Sequence, residues 1–193
     1  MKWIGNRISF VDQKDKTTIV IYPEKKAWMT TLMGAWIFMW YGIGFTVIWS
    51  YFALNLNQQE KLILVIFMSF WLYYAVRVTR TFLWILKGTE NIKIDSIGLS
   101  YKLATGKMGK AHMYYLENIK KFRLEVPKDK SFQNAFESTP WIRGGERLEF
   151  DYMGKVVRFG RKLEEKDAKL LFSLITKRIE EQLKQRSKKS KEY

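Results

Sequence analysis

Glu149 and Asp151 are the residues most able to do chemistry by type and spacing. They lie two positions apart in a stretch that reads as a β-strand, so both carboxylates would share one face. Such a pair could divide general-acid and general-base roles. Solvated strand charges are the plainer reading of the same pattern. The other acids of this half, Glu117, Glu125 and Glu146, are scattered. His112 is the single histidine and cysteine is absent. A transition-metal site draws several ligands from those two types, so none is expected. Thiolate and disulfide chemistry are excluded, which suits a reducing compartment. No GxSxG or HExxH motif occurs, and Lys87-Gly-Thr lacks the glycine loop that would make it a phosphate cradle. The expectation is a protein without catalytic residues, cofactor or metal.

Basic clusters are the stronger signal. The 193 residues carry 34 Lys and Arg against 19 Asp and Glu, a net charge of +15. That charge attracts lipid headgroups, nucleic acid or acidic partners. Lys120, Lys121 and Arg123 open one β segment; Arg158, Arg161 and Lys162 sit at a strand–helix junction; Lys184, Arg186, Lys188, Lys189 and Lys191 crowd the tail. Beneath an anionic leaflet each close Lys or Arg contributes ~1 kcal/mol. The basic residues are not interleaved with aromatics as in an RNA-binding motif, so nucleic acid is not the expected partner.

These residues need elements to position them, and the largest are apolar. Residues 27–54 hold no charge at all. A bilayer is crossed by ~20 apolar residues. A polar link, Asn55 to Glu60, separates this stretch from a second one over 61–86. The expectation is a two-helix transmembrane hairpin within residues 27–87. The N-terminus has neither the apolar core nor the cleavage site of a secretory signal. Arg77 and Arg80 interrupt the second stretch, and a mid-bilayer cation costs ~2.5–3.5 kcal/mol. Arg77 lies ~22 Å along a helix begun at Leu62, most of the way across a ~30 Å core. Snorkelling to cytoplasmic headgroups would then relieve both. Alternatively Ser69, Tyr73, Val76 and Arg80 share a face and form a polar stripe for a partner helix. The basic flanks place both termini in the cytoplasm, as a multi-pass protein of a bacterial inner membrane.

At ~100° per residue, Thr31, Ala35, Gly42, Thr46 and Ala53 project to one side of the first helix. Small residues let another backbone approach closely. The second helix of the hairpin is the expected neighbour, a foreign subunit the alternative. Trp28, Trp49 and Trp84 suit interfacial belts. Trp36, Trp40 and Trp71 sit deeper and read as lipid-facing, or as packed on another helix, a quinone or a pigment.

Outside the hairpin the pattern is short strands. Ile8–Val11 and Thr17–Tyr22 read as a β-hairpin within a cytoplasmic segment, residues 1–26. Six further strands are read after the hairpin: 91–95, 99–103, 110–116, 119–126, 147–152 and 156–159. Met153-Gly154-Lys155 is a tight turn between the last two. A long loop over 127–145 carries Phe132, Phe136 and Trp141. Leucines and isoleucines from Leu163 to Leu183 keep a helical period, with acids first and bases later as the dipole prefers. This soluble domain is drawn over 88–186, with a basic tail over 187–193.

Ile92-Lys-Ile-Asp-Ser-Ile-Gly-Leu-Ser-Tyr101, followed by Met113-Tyr-Tyr-Leu-Glu-Asn-Ile119, resembles the bacterial PH-like pattern of strand, Gly turn, strand and aromatic entry. The layout is similar to small bacterial membrane proteins with a two-helix hairpin and a cytoplasmic PH-like domain, the YcxB-like and YdbT-like kind. It is also similar to the two-helix photosystem assembly protein. The N-terminal β segments are no part of that pattern and are candidates to extend it. The resemblance implies a membrane α-helical hairpin plus an α+β soluble domain, a PH-like barrel or sheet capped by an amphipathic C-terminal helix. It implies binding or scaffolding, with no catalytic residue to carry over.

Three functions follow. The preferred one is an accessory subunit or assembly factor of a membrane complex, contacting a protein partner or a second copy of itself. The others are an anionic-lipid sensor and a membrane-associated enzyme. The residues expected to touch partner or lipid are Ser69, Tyr73, Arg77, Arg80, Lys120, Lys121, Arg123, Arg158, Arg161 and Lys162.

Overall fold

The computed structural model describes residues 1–13, 15–125 and 144–189. The chain forms two compact units, residues 25–86 and residues 1–24 with 87–193. The N-terminal segment is therefore part of the soluble unit rather than a separate flank. The loop expected over 127–145 falls almost wholly outside the described residues.

The soluble unit is α+β. Its first sheet has six antiparallel strands in sequence order: β1 (Lys2–Ile4), β2 (Ile8–Asp12), β3 (Lys16–Ile21), β4 (Gly88–Asp95), β5 (Gly98–Thr105) and β6 (Ala111–Tyr115). A second sheet holds β7 (Ile119–Leu124), β8 (Glu146–Tyr152) and β9 (Lys155–Arg161), also antiparallel. β1 escaped the sequence reading because three residues give no period to read. The N-terminal hairpin does extend the sheet: Ile21 pairs with Glu90 and Ile19 with Ile92, so β3 and β4 are neighbours with the apolar helices inserted between them in sequence. Met153 and Gly154, both at positive φ, make the two-residue β8–β9 turn.

Period-two alternation decides what faces inward. Ile19 and Ile21 of β3, Ile92 and Ile94 of β4, and Leu148 and Phe150 of β8 join Phe159 in one buried cluster. The C-terminal helix α3 (Glu165–Lys189) adds Ala168, Leu171 and Ile175 to it. Each large side chain closed off in this way contributes ~1.5–3 kcal/mol. α3 runs through Lys189, six residues beyond Leu183, because the basic residues after Leu183 suit a helix C-terminus.

The second unit is a helix pair, α1 (Ala27–Ala53) and α2 (Gln58–Lys87), each long and apolar enough to cross a membrane. The link is shorter than the sequence suggests. Asn57 Oδ1 accepts from the Glu60 N–H at 2.9 Å and Glu60 Oε2 accepts from the Asn57 N–H at 2.8 Å. This reciprocal cap starts α2 at Gln58, so Glu60 belongs to the helix and not to the link.

Candidate functional site: the helix hairpin and the basic faces

Along the hairpin, Gly44 and Trp71 set the packing. A Cβ on Gly44 would lie 2.1 Å from the Trp71 ring, so only glycine admits the indole there. Trp71 is 7% exposed. Its Nε1–H donates to the Trp40 carbonyl at 3.0 Å, and Trp40 Nε1–H donates to the Trp71 carbonyl at 3.4 Å. Tyr41 meets the Trp71 ring edge-on and shares a hydrogen bond with Thr79. These deep tryptophans are thus packing residues between the helices; Trp71 and Trp40 are not simply lipid-facing. Trp36 stacks on Trp40 at 4.9 Å. Trp84, read as interfacial, is buried, whereas Trp28 and Trp49 are exposed.

That seam corrects the expected helix contact. Thr31, Ala35, Gly42, Thr46 and Ala53 are all exposed, and a Cβ on Gly42 would meet nothing within 4 Å. Met33 and Gly44, the buried positions of α1, lie roughly opposite the small-residue face at ~100° per residue. The reason is size: α2 offers the large Trp71, and the single glycine in register with it captures the contact. On α2 the same division holds. Ser69, Tyr73, Val76 and Arg80 are exposed, while Trp71, Ala75 and Val78 turn inward. The Ser69 hydroxyl donates to its own helix at Val65. Arg77 donates to the Tyr73 hydroxyl, one turn earlier on the same helix, at 2.9 Å. Toward the link, an apolar groove of about 430 Å³ opens between Val47, Tyr51, Phe52, Leu64 and Met68.

In the soluble unit Glu149 and Asp151, read from the sequence as solvated strand charges, are held in ion pairs. Arg123 bridges Glu149 at 2.8 Å and Asp151 at 2.9 Å, and Arg158 adds a second contact to Glu149 at 3.1 Å. Glu149 is therefore buried under two arginines rather than solvated. The hydrogen bond from Arg158 to Glu149 holds the guanidinium pKa above its ordinary value. Arg161 pairs with Glu146 at 2.8 Å. The basic clusters are accordingly divided. Arg123, Arg158 and Arg161 are engaged with carboxylates, Lys120 and Lys121 are exposed, and the Lys162 carbonyl accepts from Arg7. His112 is exposed on β6. Among the described residues no group of three or more His, Cys, Asp or Glu could hold a metal ion.

Sequence reasoning missed the residues that join the two sheets. Glu90 is 1% exposed, on the inward face of β4 where an apolar residue belongs. Its carboxylate accepts from the Tyr101 hydroxyl at 3.0 Å and from the N–H groups of Gly160 and Arg161, both at 2.9 Å. Gly160 has φ 76°, and the two successive N–H groups form an anion-binding nest. Burial first, and the Glu90 charge second, push the Tyr101 hydroxyl above its ordinary pKa. Arg7 performs the matching task at the same end of β9, on its carbonyls. It donates to the carbonyls of Tyr22 at 3.0 Å, Arg161 at 3.1 Å and Lys162. Burial pulls the Arg7 pKa down, against Glu24 and Glu90, which raise it. The only sequence signal was Glu90 in register with Ile92 and Ile94.

Fold and surfaces together define an α+β unit interrupted in sequence by an apolar helix hairpin, with its exposed small-residue face unpartnered within the hairpin. No family model matches the chain, and no curated protein is significantly similar to it.

Proposed function

We propose that the protein is a non-catalytic scaffold or assembly subunit of a larger membrane complex, held in a bacterial inner membrane by the α1–α2 hairpin. One observation carries the reading: the small-residue face of α1 points away from the hairpin seam and has room for another helix. Helices in lipid associate through faces of this kind, because small side chains let backbones approach.

The exposure pattern supports insertion. α1 is apolar all round, yet only Met33 and Gly44 are buried within it. A core helix of a water-soluble protein would bury most of that surface. Lys25 and Lys26 before α1 and Lys87 after α2, against an uncharged α1–α2 link, favour both termini in the cytoplasm. The PH-like reading is supported by two antiparallel meanders with a C-terminal helix packed on their shared core. Anionic-lipid sensing has less support, since three arginines of the basic clusters are committed to carboxylates.

The test compares tagged full-length protein with Ala35→Leu and Gly42→Leu variants after mild-detergent extraction. A membrane protein held stoichiometrically by the wild type and lost from both variants is expected. Identical co-purification by all three would sink the reading.

A further inference from the structure

Among the described residues the soluble unit has four sheet edges, and three of them are blunted. β1 is only three residues long. β7 carries Lys120, Lys121 and Arg123, and its register shifts at a bulge between Lys120 and Arg123. At β9 the N–H groups of Gly160 and Arg161 are occupied by Glu90. Short length, charge, bulges and covering groups are the means by which proteins keep an edge from pairing with another chain.

β6 has none of them. Its sequence is Ala111-His-Met-Tyr-Tyr115, without Lys, Pro or bulge. Among the described residues it pairs with β5 alone, in unbroken register from Ala111↔Lys102 to Tyr115↔Gly98. Alternate residues of a strand so paired direct their N–H and C=O groups away from the neighbour, into solvent. Met113 is 45% exposed and Tyr115 51%, on the outer face of the sheet with Ala111.

We propose that β6 is a docking edge for an extended acidic segment of a partner protein, which adds a seventh strand to the six-stranded sheet. Main-chain hydrogen bonds would supply affinity and alternate side chains specificity. Charge selects the occupant. From Lys102 to Lys121 the chain carries five lysines and a single acid, Glu117, which is itself paired with Arg186 at 2.9 Å. A second copy would bring the same excess of positive charge to this edge, and the repulsion between the two disfavours the pairing. Acidic residues in the partner would meet Lys107 and Lys110 at the start of β6. Apolar residues at its outward positions would cover Met113 and Tyr115. The inference does not depend on what contacts the hairpin.

The test uses the full chain in detergent micelles and fluorescence anisotropy. The probes are end-blocked peptides of alternating Glu and Val, and of alternating Lys and Val. The Glu–Val peptide is expected to bind. N-methylating its amides on one parity of residues, which removes two or three hydrogen bonds, should weaken it roughly tenfold, while the other parity is tolerated. The Lys107→Glu, Lys110→Glu double variant should weaken the parent peptide as well. Four results would overturn the proposal. They are no binding of the Glu–Val peptide, equal binding of the Lys–Val peptide, indifference to both methylation patterns, or a dimer of this chain that protects β6 amides from exchange without peptide.

Discussion

Phe150 and Phe159 of the soluble unit are fully closed off, whereas Phe38 and Phe52 of α1 are 83% and 81% exposed. The same residue type sits on opposite sides of the two units. Their polar atoms differ in parallel. The soluble unit buries a carboxylate, Glu90, and surrounds it with three donors. Among the described residues the hairpin seam buries no charge; its polar contacts are neutral, indole N–H groups given to main-chain carbonyls and a Tyr41–Thr79 hydroxyl pair. A unit stabilised by water exclusion can carry one buried charge if its partners are complete. On the proposed membrane reading, the helix pair lacks that driving force and depends on close packing and neutral hydrogen bonds.

The sharpest way to break the comparison is Glu90→Ala. Tyr101, Gly160 and Arg161 would each lose a buried acceptor, and each unsatisfied group costs about 1–3 kcal/mol. A loss of ~3–5 kcal/mol is expected for the soluble unit, read by urea unfolding and by amide exchange in β4 and β9. Unchanged exchange would mean that Glu90 is incidental to holding the sheets together. Next in size is Gly44→Ala. The new methyl collides with the Trp71 ring, and overpacking of this kind costs about 1–3 kcal/mol. Thermal unfolding in micelles and tryptophan emission should both shift. Gly42→Ala is its control: the methyl enters open space and helix propensity gains up to ~1 kcal/mol. Equal effects at the two glycines would place the hairpin seam elsewhere.

Tyr101→Phe sharpens the comparison through pH. The variant keeps two of the three donors to Glu90 and should lose ~1 kcal/mol at neutral pH. Tyr101 is raised above its ordinary value in the folded state, by burial and then by Glu90. The unfolded chain therefore releases this proton first, and folding stability is complete below about pH 10 and declines above it. The wild type should lose stability relative to the variant in alkaline solution, closing the gap between them. A gap that stays constant across pH 9–11 would mean the hydroxyl is not buried against Glu90.

Legibility in the sequence followed periodicity. The charge-free stretch 27–54, the alternation of Ile92 and Ile94, and the leucine period of α3 each repeat often enough to be read. The small-residue face of α1 was readable as a face, but not which neighbour it meets. That choice turned on Trp71 finding Gly44, a long-range fit between single residues. Glu90 is harder still. Its spacing matches the inward row of β4, but its donors come from β5 and β9, up to 71 residues away. A pattern within one strand cannot state that a nest at Gly160 waits for its carboxylate. The capping pair Asn57 and Glu60 was legible in principle, since the three-residue spacing fits a capping box; the polar composition of the link obscured it.

Asp151→Asn should have the smallest effect and tests the same contrast from the other side. Asp151 is paired with Arg123 on the outer face of β8, with side-chain exposures of 28% and 45%. Exposed pairs of this kind contribute ~0.2–1 kcal/mol. Arg123 also retains Glu149 after the change, so no charge is left buried without a partner. A loss below ~0.5 kcal/mol in urea unfolding is therefore expected. Salt should remove most of it, because screening acts on pairs that solvent reaches. A cost approaching that of Glu90→Ala would show that the acids of β8 work as core residues. The division between the enclosed Glu90 and the more exposed Asp151–Arg123 pair would then fail.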